Sequence, residues 1–431
     1  MGYFAVTLTF FISTILSCSS DYDYSTDVDI ENLSFITIKT EQNRSTVGVN
    51  ETVTFFVIDD ETSEDITQAA TFYIDGQPLS GNYASFDAPG TYVFSAAIDN
   101  ITSNLLTLTV VDGNYVTIST DKAFPDETVN FHFYDTSGNE FTESASFSVN
   151  QSPISGSTYS TPDDGTYTVT ASYQGEQTQE VSYEVYTPKR KVTFEDYTGA
   201  WCGWCPRVAT AGHELQQLSD HVIVLAVHNN DEMAIEQESQ MREQFNVLSF
   251  PAARLNRTVE VPNPEDGEAA LNMVLESAAT PTHTSIAIDA KLNGSQLKVA
   301  TKIRSRNSLP ASHKIVVYLY QDGLVFPQTN YYENIEGSPW YQAGNPIEDF
   351  VHNEVLEASL TNIFGDAVES TAAFEEYIVS FDPVNLSSYG HSENDNTFDP
   401  QRFGVIVMLV DENNNAINAQ RVHAGENIGY E

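Results

Sequence analysis

The sequence repeats itself, and the length of the repeat restricts the fold more than any other feature. Glu51-Thr52-Val53-Thr54-Phe55 returns as Glu127-Thr128-Val129-Asn130-Phe131, and Phe72-x5-Pro78-x-Ser80-Gly81 returns as Phe147-x5-Pro153-x-Ser155-Gly156. Gly90-Thr91-Tyr92 returns as Gly165-Thr166-Tyr167, which sets a period of 75 to 76 residues. That is too long for a solenoid unit and suits a small β-sandwich. Between these blocks run short alternating segments rich in Thr, Ser, Val, Tyr and Phe, broken by Gly, Asn, Asp and Pro, with no helix-period stretch among them. Such alternation marks antiparallel strands. Two tandem sandwiches are expected, at 33–111 and 112–187. Neither contains a cysteine, so hydrophobic packing must hold the sheets of each together.

At Lys191 the pattern changes. Val192–Tyr197 reads as a strand, Pro206–Leu218 as a helix, and His221–His228 as a strand apolar enough to be buried on both faces. A second helix is expected over Glu236–Phe245, paired strands over Ala252–Val261 around Asn256-Arg257, and a third helix over Glu265–Ala278. The order β-α-β-α-β-β-α is that of a thioredoxin fold, expected here over 190–280. Strands return at 284–291, 296–305, 314–321, 373–381 and 403–411, which implies a C-terminal β-sandwich over 282–425. The segment from Asp322 to Gly365 is rich in Asn, Gly, Pro and aromatics and has no pattern that assigns it. The expected fold class is therefore multidomain: tandem immunoglobulin-like β-sandwich repeats, an α/β thioredoxin-like domain, then a β-sandwich. The Gly-Thr-Tyr blocks resemble the late strand of bacterial immunoglobulin-like modules, which act as spacers or adhesive units.

One motif carries chemistry. Trp201-Cys202-Gly203-Trp204-Cys205-Pro206-Arg207 falls between an expected strand and an expected helix, the context in which Cys-x-x-Cys is a redox pair. Backbone N–H groups and the partial positive charge at a helix N-terminus favour the thiolate. Cys202 would attack and Cys205, a turn further on, would resolve the mixed disulfide. Pro206 suits the first helical turn, where its missing N–H is not needed. Phe250-Pro251 lies where thioredoxin-like proteins place a cis proline that presents the preceding backbone to substrate. Asp196, six residues before Cys202, lies where thioredoxins carry a buried carboxylate that assists the resolving cysteine. Glu195 is its neighbour, and strand alternation admits one of the two inward; Asp196 is the choice here. Trp201, Trp204 and Phe250 are expected to contact substrate. The bland readings are a permanent disulfide that staples a loop, or half of a zinc site; no second Cys-x-x-Cys or close His-x3-His completes the latter. His213 reads as a helix-surface residue, and His228 at the end of the buried strand is ambiguous. Asp411-Glu-Asn-Asn-Asn415 reads as a polar hairpin turn. No metal and no cofactor is expected.

The N-terminus and the charge address location and partners. Ala5–Leu16 is an apolar run of signal-peptide length, short of the ~20 residues a membrane-spanning helix needs. It ends in Ile15-Leu16-Ser17-Cys18, which resembles the lipobox of bacterial lipoproteins, although Met1–Tyr3 supplies no positive n-region. On that reading 1–17 is a signal peptide, Cys18 is lipidated, and 18–32 is an acidic tether similar to the signal that follows the lipidated cysteine in surface-exposed lipoproteins of the Bacteroidota. Of three cysteines in an exported chain, assigning Cys18 to lipid leaves Cys202 and Cys205 as a disulfide pair. The formal net charge is −43. Such a field repels phosphate backbones, so nucleic acid is not expected as a partner.

Tyr197-Thr198-Gly199-Ala200-Trp201-Cys202-Gly203-Trp204-Cys205-Pro206, then Phe250-Pro251-Ala252, His352-Asn353-Glu354-Val355-Leu356 and Gly365-Asp366, together resemble the Omp28-related outer membrane proteins of the Bacteroidota. The resemblance spans roughly 190–424 and implies a thioredoxin-like domain followed by a β-sandwich, in a cell-envelope lipoprotein. Two functions follow as expectations. One is thiol–disulfide exchange with protein or peptide thiols on secreted or surface proteins. The other is a non-catalytic surface binding or adhesion protein with a structural disulfide.

Overall fold

The computed structural model describes residues 33, 35–389, 391 and 396–431. The expected signal peptide, the lipidation site Cys18 and the acidic tether lie outside the described residues.

The two repeats form the same pair of facing sheets. In the first, Ile36–Thr40, Thr52–Asp59 and Tyr83–Ser85 make a three-stranded sheet, and Gly90–Ile98 is central to a second sheet between Thr71–Ile74 and Leu106–Val111. The second repeat pairs Tyr115–Ile118, Val129–Tyr134 and Thr158–Tyr159 against a sheet centred on Gly165–Tyr173. Alternation drives both: Val53, Phe55 and Val57 are buried in one copy as Val129, Phe131 and Phe133 are in the other. The tyrosine of each Gly-Thr-Tyr block donates its hydroxyl to a carbonyl four residues upstream, Tyr92 to Ala88 at 3.2 Å and Tyr167 to Asp163 at 2.9 Å. That bond pins the corner of the sandwich.

The scarce basic residues join the modules. Arg44 of the first repeat pairs with Glu51 at 2.5 Å and reaches Tyr115 of the second. Arg304 pairs with Glu127, and Lys122 donates to the Tyr430 carbonyl at 2.6 Å. Lys291 pairs with Asp60 at 2.6 Å, and Lys298 donates to the Asp60 carbonyl at 2.8 Å.

Beyond the repeats, β1 (Val192–Thr198), α1 (Pro206–Leu218), β2 (Val222–His228), α2 (Glu238–Gln244), β3 (Ala252–Leu255), β4 (Val259–Val261) and α3 (Gly267–Ala278) follow in the expected order. β1 runs parallel to β2 and antiparallel to β3, which pairs with β4 through a turn with Asn256 at φ 47° and Arg257 at φ 73°. Next come β5 (Thr284–Asn293), β6 (Gln296–Ser305), β7 (Lys314–Gln321), β8 (Val355–Ser359), β9 (Glu376–Ser380), β10 (Phe403–Val410) and β11 (Ala416–His423).

These two groups share one nine-stranded sheet, ordered β4-β3-β1-β2-β8-β7-β10-β11 with Asp366–Ala367 paired beside β7. The join is a single parallel register, Ala226 against Val355, with the Ala226 N–H donating to the Glu354 carbonyl at 2.8 Å. The sheet is thus continuous from the 190–280 segment into the 282–425 segment. A second sheet built on β9-β6-β5 covers one face of β7 and β10, and Ile286, Val299, Val317, Leu319, Val405 and Val407 fill the space between. α1 and α3 cover β1 and β2 through Val208, Leu215, Ala270 and Val274. α2 packs Met241 and Phe245 on the opposite face, with Tyr197, Leu225 and Tyr318.

Two strands lack the expected signal, for physical reasons. β11 carries Asn418 and Gln420 in buried positions, which hides its alternation. Their polar groups are satisfied: Asn418 donates to the carbonyls of Lys189 at 3.0 Å and Thr284 at 2.8 Å. β8 is short and sits at the end of the aromatic segment, preceded by Glu354 at φ 51°.

Candidate functional site

Cys202 and Cys205 form a disulfide with Cα atoms 5.4 Å apart. It closes the loop that leaves β1 and enters α1, with Cys205 at the N-cap and Pro206 in the first turn. Tight turns hold the loop: the Cys202 N–H donates to Gly199 O at 2.9 Å and the Cys205 N–H to Cys202 O at 3.1 Å. The sulfurs are nearly covered, with Cys202 4% and Cys205 1% exposed, whereas Trp201 and Trp204 are each 45% exposed. Trp201 donates its indole N–H to Asn229 O at 2.7 Å and meets the Phe250 ring edge-on at 5.4 Å. The Phe250–Pro251 bond is cis. Ala252, the next residue, is in register with Tyr197 on β1, so the proline and the cysteine loop leave the same end of adjacent strands.

The segment the sequence left unassigned straps this loop. Leu324–Val325 pairs with Val351–His352, and between them the chain runs across the motif. Thr329 N–H donates to Ala200 O at 2.8 Å and Tyr331 N–H to Gly203 O at 2.9 Å. Buried Gln328 spreads its amide over the carbonyls of Gly199 at 3.3 Å and Cys202 at 3.0 Å. Trp204 lies between the rings of Tyr331 and Tyr332, at 5.5 and 5.0 Å. Gly203 lies close under this strap, and a Cβ there would fall 2.4 Å from the Tyr331 ring, so the ring would have to shift.

A cavity of about 270 Å³ adjoins Cys205. Asp196 and Thr198 of β1, His228 of β2 and His352 from the far end of the strap face into it, among apolar walls from Pro206, Val224 and Phe350. Asp196 is 2% exposed, and its Oδ1 has no hydrogen-bond partner among the described residues. Burial pushes its carboxyl up to about 8. His352 is pushed down to about 3 by burial and by the neighbouring His228, whose ring lies 5.1 Å away. His228 Nδ1 sits 2.8 Å from Asp231 Oδ2, which also accepts the Ala200 N–H at 2.7 Å. Burial would raise Asp231, but these bonds and one from the Met233 N–H hold it below the usual carboxylate range.

One expectation needs correction. Alternation was expected to turn only one of Glu195 and Asp196 inward, yet Glu195 is 0% and Asp196 2% exposed. Both faces of β1 are covered, by α1 and α3 on the Asp196 side and by α2 and β7 on the other. Trp201, Phe250 and the cysteine pair gather in one place, with Trp204 beside them. Gln328, Tyr331, Asp231 and His352 also belong to it, and of these only His352 lay in a stretch the sequence reading singled out. No group of three or more His, Cys, Asp or Glu among the described residues is placed to hold a metal ion.

Residues 238–428 match the family model described as outer membrane protein Omp28. No curated protein matches the chain. Among solved structures, HBP35 of Porphyromonas gingivalis is similar at 16% identity over 55% of this chain and 76% of that one, with a TM-score of 0.41. The fibronectin(III)-like modules of Clostridium thermocellum CbhA align at 12% identity over 35% of this chain and 93% of theirs, TM-score 0.17. Three N-terminal domains of the bacteriophage RB49 outer capsid protein Hoc align at 11% identity over 90% of this chain and 95% of that one, TM-score 0.17. No helix among the described residues is long and apolar enough to cross a membrane.

Proposed function

We propose that this chain is an exported, lipid-anchored outer-membrane protein whose segment 190–280 is a thioredoxin-like domain that exchanges disulfides with protein or peptide thiols. The carrying observation is that the bonded pair Cys202–Cys205 sits at the N-terminus of α1, beside the cavity onto which Asp196 opens, a buried carboxyl whose Oδ1 has no hydrogen-bond partner among the described residues. The sheet order β2-β1-β3-β4, with α1 and α3 on one face, supports the domain reading. The match of 238–428 to an outer membrane family and the lipobox ending at Cys18 support the location.

In this reading a substrate thiolate and Cys202 share the mixed disulfide, and Cys205 resolves it. The helix N-terminus stabilises the thiolate that forms at the loop. Asp196, protonated near neutral pH, lines the cavity that adjoins Cys205. Backbone ahead of Pro251 orients an extended peptide, with Trp201, Trp204 and Phe250 against its side chains. The near-complete cover over both cysteines favours a second reading, a binding scaffold whose disulfide stays shut.

The reduction potential separates the two. In the full chain carrying C18S, glutathione titration with mass-spectrometric thiol counting is expected to give a value between about −120 and −270 mV, the range of exchange proteins. A pair that stays oxidised below about −300 mV would leave only the scaffold.

A further inference from the structure

We infer that His228, oriented by Asp231, is the proton acceptor for Cys205 when it resolves the mixed disulfide, across the cavity that the C-terminal half closes with His352. The inference rests on the exchange reading above and adds to it a group that a cysteine pair with a single buried carboxylate lacks.

Asp231 is ionised and accepts three hydrogen bonds, so His228 places Nδ1–H toward it, and in the neutral ring that tautomer leaves the lone pair on Nε2. No hydrogen bond among the described residues occupies that Nε2, and His228 lines the same cavity as Cys205. Asp231 also holds the Ala200 N–H, two residues before Cys202, so the group that orients the imidazole also fixes the cysteine loop. A carboxylate-oriented imidazole is a group that takes a thiol's proton elsewhere in protein chemistry, and here it shares a cavity with Cys205. Asp196 is a poor acceptor by comparison: burial keeps it protonated near neutral pH, so it has no site left for the Cys205 proton. The cavity walls are mostly apolar, but Asp196, Thr198 and Gln328 also line it and it is roomy enough for water to link the sulfur and Nε2.

The C-terminal half completes the wall. His352 donates Nε2–H to Phe326 O at 3.3 Å and stays neutral through its burial, so it adds no charge that would oppose protonation of His228. The other titratable groups around His228 are Asp196 on β1, His213 on α1, Glu354 beside the strap, and Glu357 on β8 with its partner His391. The Cys205 S–H proton moves to His228 Nε2, the Cys205 sulfur bonds to Cys202, the Cys202–substrate S–S bond breaks, and the substrate leaves as a thiolate that takes a proton from solvent. Two electrons pass from the cysteine pair to the substrate sulfurs.

The test uses the reduced full chain carrying C18S, converted to its Cys202–thionitrobenzoate mixed disulfide, with release of the coloured thiol followed against pH. His228→Gln keeps an N–H for Asp231 and cannot take the proton. It is expected to slow release about a hundredfold at neutral pH and to move the midpoint toward an ordinary thiol near ~8.5. The rate should converge on the parent rate at high pH. Asp231→Asn should do the same to a smaller degree, and it decides the matter if the Gln variant does not fold. Folded variants with an unchanged pH profile would overturn the inference, as would Asp196→Asn alone moving the midpoint. A chain that never releases the thiol at any pH instead defeats the exchange reading itself.

Discussion

Glu195 and Asp196 are consecutive carboxylates on one strand, both removed from solvent, and the two faces of β1 treat them in opposite ways. On one face, Glu195 accepts a hydrogen bond from the Tyr197 hydroxyl at 3.1 Å and has Arg257 Nε at 3.6 Å. Arg257 itself is fully buried, donates to Tyr318 OH at 2.8 Å and Ile363 O at 3.2 Å, and lies 4.8 Å over the Phe245 ring. Burial raises Glu195, and the Arg257 charge and the Tyr197 hydroxyl oppose that rise. On the other face, burial acts on Asp196 with nothing to oppose it. Depth is the same in both cases; partners differ. A buried carboxylate with a countercharge holds tertiary structure, whereas one that faces a cavity unpaired is available for proton chemistry.

The comparison breaks hardest at Arg257. Arg257→Met removes the countercharge and leaves Glu195 buried alone, which is expected to cost about 3–5 kcal/mol in urea unfolding. The double variant R257M/E195Q should recover at least half of that, because no charge is then stranded. A neutral single variant would mean that Glu195 is not held by the pair.

Asp196 predicts the opposite sign. Its carboxyl titrates near 8 in the folded chain and near ~3.9 when unfolded. Between those values the folded state holds a proton that the unfolded state has released, so stability is greatest below the lower value and falls as pH rises toward the upper. Each pH unit in that window is worth about 1.4 kcal/mol. Asp196→Asn should therefore gain about 3 kcal/mol on the parent between pH 5 and pH 7, read from denaturation midpoints at several pH values. Parallel curves would show that Asp196 ionises normally in the fold.

Sequence carries the local parts of this picture and loses the crossings. The helix expected at Pro206–Leu218 forms over those residues, because proline sets its start and the apolar spacing sets its face. The apolar run ending at His228 becomes the doubly covered β2. The repeat, with its two tyrosine corners, is visible from three short blocks. What sequence spacing cannot convey is that Gln328 caps the Cys202 carbonyl across a separation of 126 residues, or that Ala226 pairs with Val355 and fuses two expected domains into one sheet. These links are side chain to backbone or a single register pair, and neither leaves a periodic trace. The same holds for the second buried carboxylate: alternation assigns faces, but it does not reveal that both faces are covered.

The strap gives the finest contrast between the two faces, since it touches the cysteine loop and not the Glu195 network. Gly203 is the lever, because a methyl there falls 2.4 Å from the Tyr331 ring, which is itself 52% exposed and has room to swing away. Gly203→Ala is expected to cost only about 1 kcal/mol, since the ring yields before the backbone does. With Tyr331 displaced, the cover over Cys202 loosens, and reduction of the disulfide by dithiothreitol should quicken severalfold, more than the small fall in the urea midpoint accounts for. Tyr331→Ala should quicken it similarly without the clash, and adding G203A to it should then have little further effect. If both variants leave the reduction rate where it was, the strap holds the loop in place without guarding the sulfurs, and access must come from the Phe250–Pro251 side.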